Sequence, residues 1–353
     1  MSGPVPPTLT TLDPAWVDQV LRDGGHCTAS VTGVRAEAVA FTGATTDMGR
    51  LRLAYSDDGD PGPPTVIAKI RGVTEVQMQM DTAMGLFERE GCFYSELSER
   101  VPVAKPRCYA VGDGDETPLL LEDLAALRMG DQMEGLTTPE AGALMDALAD
   151  LHAAFWEKPD IQAGWLASPA EGVFAGMICQ LVASGAPALA ERYAGRAPDD
   201  VLEAVAKAAP GWQHVLERIA EGPQTLAHND CRLDNLFFDD AETPVFIDWQ
   251  LAARTRGTQD VGNLLAGSMD SDLLSAGWED LVRRYHDRLT ANGVTGYSVD
   301  ECIDHYRQTV LYPLGAGMAL LGAMDIGDGR GLGDAIVLRC LNHIAEIDSF
   351  EAL

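Results

Sequence analysis

The chain has 353 residues, 46% of them hydrophobic, and carries 54 acidic against 25 basic side chains for a formal charge of −29. That length exceeds one small core and predicts one large domain or two lobes. The charge argues against a nucleic-acid partner, whose phosphates demand a basic surface; it permits a cationic ligand, with a solubilising surface as the plainer reading.

No run of the roughly 18 apolar residues that a membrane helix needs is read from the sequence. The opening MSGPVPPTLTTLDPAW lacks the basic start and apolar run of a secretory signal. A cytoplasmic protein with no membrane partner is therefore expected. Seven cysteines without a CxxC pair predict reduced thiols rather than a disulfide frame or a zinc site.

In chain order, Asp13 and Pro14 followed by AWVDQVLRD predict a capped opening helix. Three strands are expected at VTGVRAEAVAF (31–41), RLRLAY (50–55) and PTVIAKI (64–70), the last two joined by the turn SDDGDPGPP. A helix is predicted over 76–99. KPRCYAVG and PLLLEDL then read as two strands joined by GDGDET. Thr137, Thr138, Pro139 and Glu140 open a helix whose apolar residues Leu144, Met145, Leu148, Leu151 and Phe155 recur three and four apart. Further helices are predicted near 173–194, 199–220, 271–291, 299–323 and 331–349, interrupted by a strand-rich patch at 225–255. The outline is a small β-rich lobe with one main helix, then a larger helical lobe with a short β insert.

The stretch TLAHNDCRLDNLFF (225–238) places His228, Asp230, Arg232, Asp234 and Asn235 between apolar flanks. Such a polar loop is costly unless its groups are satisfied or used. Thirteen residues beyond Asn235 stands Asp248, in PVFIDWQ. A hairpin turning at DDAETP brings Asp230, Asn235 and Asp248 to one end, and three oxygen-bearing side chains suit Mg²⁺, a hard ion that keeps waters and shares phosphate oxygens. His152, in ADLHAAFW, lies on the apolar face of its helix and is read as packing.

The pattern H-x-D-x-x-x-x-N followed by a strand and I-D-W resembles the catalytic loop and metal-binding aspartate of protein-kinase-like phosphotransferases. It is most similar to the aminoglycoside phosphotransferase superfamily, and the RLDN and DWQ forms resemble its ecdysteroid-kinase-like and hydroxyacyl-kinase-like branch. The resemblance covers nearly the whole chain. It implies an α+β, two-lobed protein-kinase-like fold, with an N-lobe over 1–123 and a C-lobe over 124–353.

The resemblance also implies roles. Asp230 matches the catalytic base, Asn235 and Asp248 the Mg²⁺ ligands, and His228 a loop-bracing histidine. Asp260, in GTQDVGNLL, matches a structural aspartate. Arg232 and Asp234 receive no role, and Asp230 is preferred to Asp234 as base because it alone stands five residues before the asparagine. Lys69, in TVIAKI, resembles the lysine that pairs with nucleotide phosphates. Glu90, in the E-x-x-F-Y pattern, is its expected partner; Glu88 competes, but on a helix the two point about 200° apart. Gly43, in GATTDMG, would belong to a phosphate-covering loop, and LLLEDL resembles a hinge strand at which main-chain groups of Glu122, Asp123 and Leu124 would hold adenine. Asn229 stands where the family usually has glycine, and asparagine tolerates a left-handed backbone better than most residues.

The implied activity is an ATP- and Mg-dependent kinase of a small-molecule hydroxyl, with GTP in place of ATP left open. The apolar run LYPLGAGMALLGAMDIG mildly favours a steroid-like alcohol or hydroxy acid as acceptor, with helix packing an equal reading; the acidic charge mildly favours an aminoglycoside, and an aminoglycoside or macrolide is the alternative acceptor class. A nucleotide-binding pseudokinase and a metal-dependent phosphohydrolase are the alternatives from other classes.

Overall fold

The computed structural model describes residues 5–39, 45–323 and 331–353. The chain divides into two compact units, one formed by residues 1–99 and 105–127, the other by 100–104 and 128–353. The short segment 100–104 joins the second unit because Arg100 pairs with Asp160 at 2.5 Å and Ala104 bridges in parallel to Val245.

The first unit opens with α1 (Pro7–Thr10) and α2 (Pro14–Asp23). Asp13 caps α2, its carboxylate accepting the Ala15 N–H at 2.9 Å, which satisfies one orphan donor of the first turn. Five strands follow, interrupted by helices: β1 (Val31–Ala38), β2 (Thr46–Tyr55) and β3 (Thr65–Arg71), then α3 (Glu75–Met84) and α4 (Leu86–Cys92), then β4 (Cys108–Ala110) and β5 (Leu119–Glu122). They form one antiparallel sheet in the order β1-β2-β3-β5-β4. The alternation of apolar residues buries Leu51, Val66, Ala68, Ile70 and Leu120 with Leu9 of α1, while Val17 and Leu21 of α2 pack with Val31.

The single helix expected over 76–99 is a correction. Gly85 adopts φ 61 and ends α3; α4 starts immediately after it and runs on into a wide turn at Phe93–Leu97 and a 3-10 turn at Ser98–Arg100. Glycine enters the left-handed region without a Cβ penalty. The break matters because it sets the direction of the helix that carries Glu90.

The second unit is mostly helical. β6 (Arg128–Met129) leads into α5 (Thr138–Phe155), capped reciprocally by Thr137 and Glu140. Next come α6 (Gly172–Tyr193), α7 (Asp199–Ala208) and α8 (Trp212–Ala220). The helix expected over 199–220 is divided at Pro210, where Ala209–Gly211 form a 3-10 turn, because proline has no N–H for the helical ladder. The β patch resolves into β7 (Thr225–Ala227), β8 (Leu236–Phe238), β9 (Pro244–Phe246) and β10 (Ala253–Thr255). β7 pairs with β10, and β6, β8 and β9 form a three-stranded sheet. α9 (Thr258–Ser268), a helix the sequence reading did not anticipate, follows directly, then α10 (Ser271–Ala291), α11 (Val299–Thr309), α12 (Leu311–Ala323) and α13 (Leu332–Glu346). The expected 299–323 helix is two helices that part at Val310; Pro313 lacks the N–H that would continue the ladder.

Helix α6 is a second correction. By length and composition it could cross a membrane, although only 28% of its most apolar window is buried. Its glycines, Gln180 and Pro187 break any uninterrupted apolar count. In this unit it packs chiefly along α12. α12 buries Leu311, Leu314 and Met318 completely. Its small residues serve close packing: a Cβ at Gly315 would stand 2.8 Å from Trp212 Nε1, and one at Gly317 2.9 Å from Val337.

Half-buried His305 and buried His343 are expected to make this unit acid-sensitive. Burial lowers His305 and His343 from 6.5 to about 4. The unfolded chain therefore binds the extra protons between about pH 4 and pH 6.5, so their contribution is complete above 6.5 and is lost as pH falls. The urea midpoint should drop between about pH 7 and about pH 5, and a His305→Gln/His343→Gln double variant should lose most of that slope. A slope equal in both proteins would assign the acid response to other groups.

Candidate functional site

β7 is three residues long and wholly buried, and its pairing with β10 fixes where the chain leaves it. The next residues form the polar loop. Asn229 sits at φ 65, left-handed geometry that costs most residues of order 1 kcal/mol or more. Three hydrogen bonds hold it there. Both oxygens of the Asp260 carboxylate accept main-chain N–H groups, from His228 and Asn229, each at 2.7 Å. The Asn229 side-chain oxygen accepts from Gln259.

His228 is fully buried and bridges two segments. Its Nε2 donates to the Ile247 carbonyl at 2.8 Å, and its Nδ1 accepts the Asp230 N–H at 3.3 Å. That pair of bonds assigns the proton to Nε2. The ring stacks edge-on to Trp249, 4.7 Å between centroids. With both nitrogens engaged by main chain, His228 ties the loop to the residue preceding Asp248.

Asp230 keeps 22% of its side-chain surface exposed. Desolvation pushes its carboxyl above the usual carboxylate range; Arg232 opposes the rise, the charge of Asp248 adds to it, and His228 and Asn235 oppose it. The Asn235 amide nitrogen donates to the Asp230 carbonyl at 2.9 Å and to its carboxylate at 2.7 Å. Arg232 sits 3.5 Å from the Asp230 carboxylate and 2.7 Å from that of Asp234. Asp234 is thus the closer counter-ion of Arg232, and the sequence reading assigned neither residue a role. The turn Leu233–Asn235 is supported from outside: the Gln132 side-chain oxygen accepts the Leu233 N–H at 2.8 Å.

β8 and β9 pair antiparallel with Leu236 opposite Phe246 and Phe238 opposite Pro244. The Ile247 N–H donates to the Asn235 carbonyl at 3.0 Å, which closes the open end of this hairpin and sets Asp248 next to Asn235. Asp248 adopts φ 63, a second left-handed non-glycine residue, and unlike Asn229 a residue type with a charge to deploy. Among the described residues no three His, Cys, Asp or Glu side chains cluster as a closed metal site. The Asn235 amide nitrogen faces Asp230, and the Asp248 carboxylate accepts from the Gln250 amide at 3.2 Å. Amide and carboxylate oxygens are the donor types Mg²⁺ takes, few from the protein and the rest from water and phosphate.

The first unit holds the other residues. β3 places Lys69 opposite Met48 on β2 and Leu119 on β5. Its Nζ lies 2.6 Å from a Glu90 carboxylate oxygen, and both side chains are buried. Glu88 turns away to Arg71 at 3.2 Å and keeps 75% of its side chain exposed. Glu122 closes a two-way bond with the Arg107 main chain. The Asp123 carboxylate is gripped by Arg50 through two bonds, 2.6 and 3.0 Å, a pairing no sequence signal announced. The Leu124 carbonyl accepts from Leu127 at 2.9 Å. Gly43 lies outside the described residues. A cavity of about 610 Å³ in this unit is lined by Thr8, Arg71, Met78, Asp81 and Asp115 and includes none of the residues expected to bind nucleotide.

A model of the ecdysteroid kinase-like family matches residues 42–293. Among solved structures the chain is similar to a macrolide 2'-phosphotransferase type I, with TM-score 0.50 and 17% identity over 96% of this chain and 99% of that one. It is similar to a choline kinase from Cryptosporidium parvum Iowa II, with TM-score 0.51 and 10% identity over 96% of each chain. It is also similar to the GDP complex of aminoglycoside 2'-phosphotransferase-IIIa, with TM-score 0.50 and 12% identity over 96% and 98%. At such identities these likenesses establish the protein-kinase-like fold. No curated protein sequence matches the chain.

Proposed function

The chain belongs to the ecdysteroid kinase-like family of kinase-like small-molecule phosphotransferases, and from that premise we propose an ATP- and Mg²⁺-dependent kinase acting on an alcohol hydroxyl. The observation that supports the reading is the hairpin end, where the Asn235 amide bonds Asp230 and the Ile247 N–H, one residue before Asp248, bonds the Asn235 carbonyl, with Asp260 and His228 holding the loop main chain. In this reading Asp230 accepts the proton as the hydroxyl oxygen attacks the terminal phosphorus; the bond to the bridging oxygen breaks and the nucleoside diphosphate leaves. Desolvation of Asp230 raises its basicity and so suits it to that task. Asn235 and Asp248 would hold Mg²⁺, which supplies charge neutralisation on the phosphate oxygens. Lys69, oriented by Glu90, positions the nucleotide phosphates; a chain of net charge −29 needs fixed cations to hold a polyanion. The GDP seen in a neighbour's structure makes guanine nucleotides the second donor to try.

The acceptor class does not follow from α12, whose small residues are spent on helix packing. α6 carries the better clue: Val173 is 75% exposed, and Phe174, Met177 and Leu181 on the same face are only partly covered. This apolar face favours a steroid-like alcohol over a polycationic sugar.

The test is Mg·ATP-dependent ADP release with pooled aminoglycosides, macrolides, sterols, hydroxy acids and amino alcohols, using Asp230→Asn as control. Release stimulated by one pool in the native protein only is the expected result. Nucleotide binding without turnover in any pool would favour the pseudokinase, and phosphate release without ATP would favour the phosphohydrolase.

A further inference from the structure

Beneath the catalytic loop lies a hydrogen-bonded chain that begins two helices away. His152, near the end of α5, is completely buried. Its Nδ1 meets the Tyr285 hydroxyl of α10 at 2.8 Å, and its Nε2 meets the Asp260 carboxylate at 3.2 Å. Asp260 is the carboxylate that receives the His228 and Asn229 N–H groups. A carboxylate only accepts, so His152 donates from Nε2 to Asp260 and turns Nδ1 to the tyrosine hydroxyl. The bonds that reach Asp260, from His152 and from the loop main chain, all run toward its carboxylate.

Three further features show that this chain is built rather than incidental. The Thr225 hydroxyl donates to the His152 carbonyl at 2.7 Å, pinning α5 to the strand from which the catalytic loop emerges. Gly257 passes so close that a Cβ there would collide with both the Tyr285 hydroxyl and His152 Nδ1. On the outside, Arg284–Asp146 and Arg288–Asp150 ion pairs, one helical turn apart, hold α10 in register on α5. That register is what brings Tyr285 to His152.

We propose that His152 and Tyr285 are positioning residues of the phosphotransfer site, setting the orientation of Asp260 so that Asn229 keeps its left-handed turn and Asp230 its aim. The functional consequence rests on the kinase reading above; the structural claim does not. Asp260 oriented through a single bond can swing about its own χ angles. With His152 fixed by Tyr285, its Oδ2 is held from a second side, and both loop N–H bonds gain a rigid acceptor.

The experiment is residue-resolved hydrogen exchange on the full chain with His152→Leu, His152→Gln and Tyr285→Phe. In His152→Leu the His228 and Asn229 amides should exchange about tenfold faster or more, the equivalent of one lost hydrogen bond's worth of protection. The glutamine amide nitrogen can stand in for Nε2, so His152→Gln should restore protection to within about threefold of native. Tyr285→Phe keeps the volume and removes one oxygen; the His152 imidazole ¹⁵N resonances should then move from their native positions. Unchanged exchange at His228 and Asn229 in His152→Leu overturns the proposal. A rise spread evenly over the unit, including the remote α7, also overturns it, because that marks a merely structural role. Should His152→Leu not fold, the same comparison on Tyr285→Phe decides. Failure of the kinase reading would appear differently, as no ADP release from any pool with these exchange results intact.

Discussion

Asp230→Asn should reduce turnover by about 10²- to 10⁴-fold, the range carried by one general base, while leaving nucleotide affinity and melting temperature essentially unchanged. The stability half of this expectation follows from the site's own bonds. An asparagine oxygen can still accept from the Asn235 amide, Arg232 retains Asp234 at 2.7 Å, and the substitution removes a carboxylate that desolvation disfavours. The activity half follows because an amide has no lone pair basic enough to take the hydroxyl proton. Steady-state ADP release together with a thermal melt measures both. Asp234→Asn is the companion variant: it should loosen Arg232 and cost far less turnover. If Asp234→Asn were the inactive one and Asp230→Asn retained full turnover, the base assignment would have to move four residues along the loop.

That comparison turns on what spacing alone can say. Asp230 stands five residues before Asn235, and the short apolar strands on either side of DDAETP read as a hairpin, which the pairing of β8 with β9 bears out. The strands β1 to β3 were legible for a similar reason, since alternating apolar residues bounded by glycine and proline turns leave little choice of face. What could not be read is the support beneath the loop. His152 bonds Asp260 across 108 positions and Gln132 bonds the Leu233 main chain across 101. Such partners carry no local signature. A histidine on the apolar face of a helix reads as packing whether its nitrogens are idle or employed. Gly85 was equally opaque: one glycine inside a helical pattern costs about 1 kcal/mol and usually does not break it, and only the φ of 61 shows that here it does. The small residues of α12 left packing and ligand space equally open, because room for a ligand and room for Trp212 look the same in sequence.

The second large effect is expected at Lys69. Lys69→Met should lower the free energy of unfolding by about 3–5 kcal/mol, the usual consequence of removing one partner of a buried pair. The Lys69–Glu90 contact is 2.6 Å long between side chains of 4% and 1% exposure, so the carboxylate that remains has almost no access to water. A surface pair would be worth about 0–1 kcal/mol; Arg71–Glu88, at 3.2 Å with Glu88 at 75% exposure, provides that internal contrast, and Glu88→Gln should scarcely change the urea midpoint. Adding Glu90→Leu to Lys69→Met should recover most of the lost stability, because an apolar pair of similar volume no longer strands a charge. It should recover none of the turnover. A protein in which the charged pair served the fold alone would regain both with the double variant, whereas a pair maintained to orient a lysine toward phosphate regains stability and stays inactive. Urea denaturation of the native protein, Lys69→Met, Glu90→Leu and the double variant, set beside ADP release by the same four proteins, separates these outcomes. A loss below about 1 kcal/mol for Lys69→Met would show instead that Glu90 finds solvent or protonates at little cost, and the argument for a rigidly held phosphate-binding lysine would fall with it.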